Sequence, residues 1–270
     1  MPLELRDIVR NNVKEKFARD EVVASMTVRL VKSIEIARIA HTAGFDSFYI
    51  DIEHSSFSLE TTSQICIAGL DAGITPLVRV PTGRPEHVTR VLEGGAMGVI
   101  VPHVRSAEEA RRVVAAAKFS PIGDRSPVGG GGVPHLHYRS FPVIEATQAL
   151  NDATMVVVMM ETLEALEHVE EIAAVDGVDM LFIGTNDLTT EMGQMNNFDH
   201  PRVRGAYERT IAACRRNGKH VGIGGFASRP DLIAEYVRLG ARFVSTGTDL
   251  GFLLGACTQR ARQVREIKVG

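Results

Sequence analysis

The chain has 270 residues, 44% of them apolar, and a net charge of −3 with both signs interspersed. That balance provides no basic surface for nucleic acid, and no apolar run approaches the ~20 residues of a membrane span. The length suits one large α/β domain with a substantial core.

The N-terminal Met1-Pro-Leu-Glu-Leu-Arg-Asp lacks the apolar centre of a signal peptide. Leu5, Ile8, Val9, Val13 and Phe17 recur at helical spacing, which predicts a leading helix over 3–19. Strands are then expected at 22–28, 47–51, 75–80 and 97–102. The helices between them run from a Ser33 cap to Thr42, over 59–70, and from Pro85 to Glu93, with glycines as stops. Ser106-Ala-Glu-Glu opens a further helix to Ala117. From Phe119 to Asp152 the periodicity is lost among four prolines and the run Gly129–Gly132, as expected of a functional loop. That run lacks the Lys-Ser/Thr of a nucleotide-binding loop and fits a mobile lid. His135 and His137 within the segment are read as solvated.

Regularity returns with two short, uniformly apolar runs, Thr154–Met160 ending at Glu161 and Met180–Ile183 leading through Gly184-Thr185-Asn186 to Asp187. With an amphipathic helix over about 164–175 between them, they read as buried parallel strands of one βαβ unit. Helix 201–216, strand 220–224, helix 229–239, strand 242–246 and a last helix from about Leu250 to Ile267 complete eight strand–helix repeats. The expected fold is a (β/α)8 barrel, with an open doubly wound sheet as the alternative. No linker divides the chain, so 1–270 should form one domain. Cys66, Cys214 and Cys257 are scattered without metal or disulfide spacing, which suggests a reduced compartment, the cytoplasm.

Barrel chemistry sits at the C-terminal ends of the strands. Glu161 and Asp187 should emerge there together, and two such carboxylates can hold a divalent cation. The bland alternative is a helix cap and a turn residue. The same edge receives Asp51, Glu53, His54 and Arg79. Arg79 interrupts an apolar strand and needs an anion, from substrate or from Asp51 or Glu161 in a structural pair. His54 is either a satisfied loop residue or a base; the polar company favours the base. Glu53 has no assigned role.

The phrases Phe48-Tyr-Ile-Asp-Ile-Glu-His54, Pro76-Leu-Val-Arg79, Met160-Glu-Thr162 and Phe182-Ile-Gly-Thr-Asn-Asp-Leu188 resemble the HpcH/HpaI aldolase/citrate lyase family. The resemblance spans about residues 20–260 in motif order. It implies a metal-dependent pyruvate aldolase that cleaves 4-hydroxy-2-oxo acids to pyruvate and an aldehyde. By resemblance, Glu161 and Asp187 ligate Mg²⁺, Mn²⁺ or Co²⁺, with pyruvate and water completing the shell. Arg79 stabilises the enolate oxygen, His54 is the base, and Asp51 lies near metal-bound water. The backbone of Gly184, Thr185, Asn186 and Asp187 holds the pyruvate carboxylate. Glu93 matches an acid that raises the basicity of the His in relatives. Its helix ends at the opposite face of the barrel, so it could act only across a subunit boundary. The resemblance also implies a homohexamer that exchanges the last helix. Met159 stands where many of these aldolases have a substrate-binding Gln, and Thr185-Asn186 replaces a common Pro-Ala.

The chemistry can be derived separately. Cleaving the C3–C4 bond leaves an electron pair on C3, which a cation at the 2-oxo group and Arg79 can stabilise. His54 has the pKa range for taking the C4 hydroxyl proton. No Lys ends a strand, which disfavours a Schiff base. The same enolate would permit oxaloacetate decarboxylation. A phosphoenolpyruvate-utilising or citrate lyase-like enzyme and a non-catalytic barrel remain as alternatives.

Overall fold

The computed structural model describes residues 4–127 and 132–269. Eight strands form a closed, all-parallel barrel in sequence order: β1 (Val23–Val28), β2 (Ser47–Asp51), β3 (Thr75–Arg79), β4 (Gly98–Val101), β5 (Met155–Met160), β6 (Met180–Gly184), β7 (His220–Gly224) and β8 (Phe243–Thr248). The expected (β/α)8 architecture is therefore present, and the open sheet is excluded. We call the C-terminal ends of the strands the mouth and the opposite ends the lower end.

The strands read as continuous apolar runs because both of their faces are buried. Tyr49, Leu77, Ile100, Val157, Met159 and Phe182 point into the barrel, while their neighbours Ile50, Val78, Val99, Val156, Val158 and Ile183 pack against the helices. Size is matched across the interior. The Phe182 ring fills the space that glycines leave on β7: a Cβ on Gly222 would sit 2.3 Å from it, and one on Gly224 2.8 Å. Removing so buried a ring typically costs about 3–5 kcal/mol.

The leading helix is two helices, Leu5–Ile8 and Asn12–Ala18. Asn11 breaks it: its Oδ1 accepts the backbone N–H of Val13 and Lys14, and its Nδ2 donates to Ala153 O at 2.7 Å. The cap ties the second helix beneath the barrel, where Val13 and Phe17 seal the interior. The helix expected over 164–175 is likewise split, into Leu163–Glu167 and Val169–Ala173, with His168 at the break.

The largest correction concerns 119–152. Its described part holds a short 3₁₀ turn, Pro134–Leu136, and a helix, Val143–Ala153. Phe119, Val133, Leu136, Ala146 and Leu150 form a small core that packs on Leu5 and Val9 at the lower end. This part of the segment is thus a packed element beneath the barrel, away from the mouth. The glycines 129–131, on which the lid reading mainly rested, lie outside the described residues. His135 is buried, contrary to the solvated reading, with Nε2 2.9 Å from Ala96 O; burial pushes its pKa down to about 4.

The last helix, Asp249–Arg265, starts on the barrel and leaves it. Asp249 is buried, whereas every residue from Leu250 to Val269 is exposed, Phe252, Leu253 and Leu254 included. No helix among the described residues is long and apolar enough to cross a membrane.

Candidate active site at the mouth of the barrel

Register brings the mouth groups together. Asp51 and Arg79 are directly paired across β2 and β3, and each closes its strand. Arg79 grips Asp51 as a fork, Nε to Oδ1 at 2.9 Å and Nη2 to Oδ2 at 2.6 Å. Arg29, one residue beyond β1, adds a third bond, Nε to Oδ2 at 2.5 Å. Burial alone would raise the Asp51 carboxyl, but Arg79 and then Arg29 outweigh it and hold it below the ordinary carboxylate range. Burial would likewise depress Arg79, and Asp51 more than restores it. The interrupted strand is thereby explained: Arg79 is 5% exposed, and it is paired.

Asp51 also shapes the turn that follows. Its Oδ1 accepts the backbone N–H of Glu53 at 3.2 Å and of His54 at 3.3 Å. The turn aims His54 at the mouth cavity, with its side chain half exposed and Nε2 3.4 Å from Glu53 Oε2. Glu53 sits beside Arg79: its Oε2 lies 3.2 Å from Arg79 Nη1, yet that buried oxygen accepts no hydrogen bond.

Glu161 follows β5 and is 3% exposed. Its Oε1 accepts the backbone N–H of His103 at 2.7 Å and lies 2.8 Å from Nδ1 of the same residue. The other ring nitrogen of His103 is 3.1 Å from Glu53 Oε1, so one imidazole bridges two acids. His103 adopts φ +58°, a left-handed conformation that costs a non-glycine residue ~1 kcal/mol or more and here turns both N–H and ring toward Glu161. Burial raises the Glu161 carboxyl; His103 opposes the shift, and the charges of Asp187 and Glu53 add to it. Reasoning from sequence missed His103, although it lies two residues past β4, much as His54 lies three past β2. It missed Arg29 too, the first charged residue past β1.

Gly184 ends β6, and the turn after it is the first turn of a helix, Thr185–Glu191. Asp187 and Asn186 are exposed there, while Thr185 is buried and anchored through Oγ1 to Tyr207 Oη at 2.8 Å and Gly224 O at 2.6 Å. A Cβ on Gly184 would lie 2.9 Å from Glu161 Oε2. A side chain at this position would have to displace the end of Glu161 or of Met159. The cavity over these groups measures about 340 Å³ and is lined by Arg29, His54, Arg79, Met159, Asp187 and Ser245 among others. Met159 is there as expected, with Sδ 4.0 Å from Arg79 Nη1. A larger cleft of about 650 Å³ between helices Pro85–Glu93 and Ala107–Ala117 is lined by His103 but by none of the residues of this cavity.

Glu93 is not brought to the mouth. It ends its helix at the lower end of the barrel, where Oε1 accepts Nε and Nη2 of Arg125 at 2.9 and 2.7 Å. Within one chain His54 and Glu93 therefore lie at opposite ends of the barrel.

The mouth fits a divalent cation. Four acids, Asp51, Glu53, Glu161 and Asp187, stand there with two guanidiniums, which pair with Asp51 and Glu53; among the described residues Glu161 meets no Arg or Lys, only the His103 imidazole. Among the described residues no three His, Cys, Asp or Glu side chains converge as ligands. A cation at Glu161 and Asp187 would thus draw the rest of its shell from substrate and water.

A sequence profile described as HpcH/HpaI aldolase/citrate lyase matches residues 29–256. The chain is 38% identical to a 4-hydroxy-4-methyl-2-oxoglutarate aldolase from Chaetomium globosum over 95% of its own length and 96% of the relative's. It is 39% identical to an aldolase of the same description from Hapsidospora irregularis, covering 96% of each chain. Its backbone is similar to the crystal structure of an HpcH/HpaI aldolase from Desulfitobacterium hafniense DCB-2, with a TM-score of 0.89, 29% identity, and coverage of 96% of this chain and 98% of that one.

Proposed function

Because the chain belongs to the HpcH/HpaI aldolase/citrate lyase family and is a carbon–carbon lyase of the aldolase kind, we propose that it cleaves and forms 4-hydroxy-2-oxo acids through the enolate of pyruvate. The observation that carries the reading is that buried Glu161 has Asp187 and Glu53 beside it, and that among the described residues neither Glu161 nor Asp187 is paired with an Arg or Lys. Glu161 and Asp187 would hold Mg²⁺, Mn²⁺ or Co²⁺. Such an ion polarises the 2-oxo group and supplies charge for the enolate.

The residues of the chain do the rest. Arg79, locked by Asp51 on one side and flanked by Glu53 on the other, presents a fixed cation where negative charge develops on the 2-oxo oxygen. Asp51 acts through Arg79 and through the turn that positions His54. His54, half exposed at the cavity, takes the C4 hydroxyl proton as the C3–C4 bond breaks; the electron pair stays on C3 and C4 becomes the carbonyl of the acceptor. The backbone from Gly184 to Asp187 orients the C1 carboxylate. No lysine lines the cavity among the described residues, in keeping with a mechanism without an imine. The exposed apolar residues of the last helix support its exchange between subunits of a hexamer. Buried, unpaired Cys66 and Cys214 accord with the cytoplasm.

The test is a comparison of two variants in two reactions. His54→Ala should lower turnover in aldol cleavage by ~10²–10⁴-fold. It should spare oxaloacetate decarboxylation, which removes no hydroxyl proton. Arg79→Lys should damage both, since Lys cannot reproduce the fork on Asp51. Equal loss of both reactions in His54→Ala would remove His54 as the base, and a silent Arg79→Lys would leave Arg79 a structural partner of Asp51.

A further inference from the structure

The mouth contains a second guanidinium for which the proposed chemistry has no use. Asp51 has two oxygens, and Arg79 already engages both in a fork. Arg29 reaches the same carboxylate through Nε alone. Among the described residues nothing engages its two terminal nitrogens, and its side chain, 36% exposed, lines the cavity. A spare counter-ion for an aspartate that is already paired explains neither fact.

Arg29 is also held in place. The backbone N–H groups of Arg29, Leu30 and Val31 all donate to the buried carboxylate of Asp249, at 2.9, 2.9 and 2.8 Å. The loop after β1 is thereby fastened to the start of the last helix, and the guanidinium hangs from a fixed backbone. In a closed eight-stranded barrel, β1 stands four strands from β5 in either direction, so Arg29 faces Glu161 across the mouth. The wall beneath it is polar: Thr27 Oγ1 lies 3.3 Å from Ser245 Oγ, which lies 3.5 Å from Tyr49 Oη. The barrel interior near β5 and β6 is instead filled by Met159 and Phe182.

We propose that Arg29 reads a carboxylate on the acceptor half of the substrate, so that the preferred acceptor is an anion and not a neutral carbonyl compound. The proposal rests on the enolate reading above. With C1 and C2 of the substrate held beside Glu161 and Asp187, the substituents of C4 extend away from those acids, toward β8 and β1. An alkyl group there would gain nothing from an arginine. A carboxylate would meet the two free terminal nitrogens in a charge-assisted pair, with hydroxyls beside it.

Two substrates of matched shape decide it, 4-hydroxy-4-methyl-2-oxoglutarate and 4-hydroxy-4-methyl-2-oxopentanoate, in which a methyl replaces the distal carboxylate. The full-length protein supplied with Mn²⁺ should favour the first in kcat/KM. Arg29→Gln should lower that preference by roughly 10- to 100-fold, mainly through KM for the dianion, the range expected of a hydrogen-bonded charge pair. Arg29→Lys, which keeps the charge and loses the fork, should fall between, and it serves if Arg29→Gln does not fold. The assignment is overturned if the unaltered protein shows no preference for the carboxylate, or if the variants slow both substrates by the same factor; Arg29 would then be only a counter-ion of Asp51. Exchange of the pyruvate methyl hydrogens with deuterium, followed by NMR, needs no acceptor and separates the two readings. Metal-dependent exchange without a carboxylate preference removes the role of Arg29 alone. No exchange in the metal-supplied protein removes the enolate reading, and this proposal with it.

Discussion

At the lower end of the barrel the Arg125 guanidinium, 2% exposed, meets Glu93 at 2.7 Å, and Lys118 Nζ sits between the carbonyl oxygens of Asn151 and Thr154 with Asp179 4.0 Å away. Asp179 in turn holds Lys14 at 2.8 Å and the backbone N–H of Val156. At the mouth, the two arginines serve Asp51 and Glu53, Glu161 among the described residues meets only the His103 imidazole, and one Glu53 oxygen is orphaned. Both ends bury charge beside the same strands. At the lower end each of these cations has a carboxylate within 4.0 Å, although Asp179 serves two lysines and Nδ1 of buried His135 is without a partner there. The mouth leaves charge unbalanced, as an end that completes itself with a ligand should.

The largest expected effect lies at the unbalanced end. Glu161→Gln or Asp187→Asn should lower metal-dependent aldol cleavage by ~10⁴-fold, since cation stabilisation of the developing charge is worth several kcal/mol. Circular dichroism should be unchanged. Activity in the unaltered protein that persists after removal of all divalent ions would erase the distinction between the two ends.

At the lower end the loss should appear as stability. Glu93→Ala leaves Arg125 buried without its carboxylate, which should cost on the order of 3–5 kcal/mol in denaturant unfolding. A fall in turnover with unchanged unfolding would instead place Glu93 at a neighbouring subunit's mouth.

His135 sharpens the same contrast through pH. Unfolded, it binds a proton near 6.5; buried against Ala96 O, it resists protonation until about 4. Its contribution is therefore whole above about pH 6.5 and is lost as pH falls toward 4, up to about 3 kcal/mol. His135→Gln should flatten that part of the stability–pH curve. Parallel curves for the two proteins would show that the histidine is hydrated and outside the core.

The smallest effect is expected at His103. His103→Ala removes the imidazole that bridges Glu161 and Glu53 and should weaken Mn²⁺ binding by roughly 10- to 100-fold, the usual range for a partner of a metal-binding side chain. Unaltered affinity in a direct titration would mean that the His103 backbone N–H alone orients Glu161.

Much of this molecule is legible from local pattern. The runs around Val157 and Leu181 are apolar because both faces of a barrel strand are covered. An acid or arginine ending such a run must lie at one common edge once the strands are parallel. Those two facts place Asp51, Arg79, Glu161 and Asp187 without coordinates. They cannot say what each charge touches, because pairing depends on distance across strands far apart in sequence. Whether Asp51 holds one arginine or two, and whether Glu161 meets His103, emerges only when β1–β3 and β4–β5 come into register. The same limit explains the misreadings. His135 looks solvated among glycines and prolines, and Val143–Ala153 looks irregular, until the chain folds beneath the barrel and Leu5 and Val9 complete their core. Asn11 ends a helix that periodicity would continue, because its side chain finds Ala153 O, 142 residues away in sequence. Periodicity and strand ends are properties of short windows, so sequence determines them; the neutralisation of a buried charge is a property of the packed whole, and only the tertiary structure decides it.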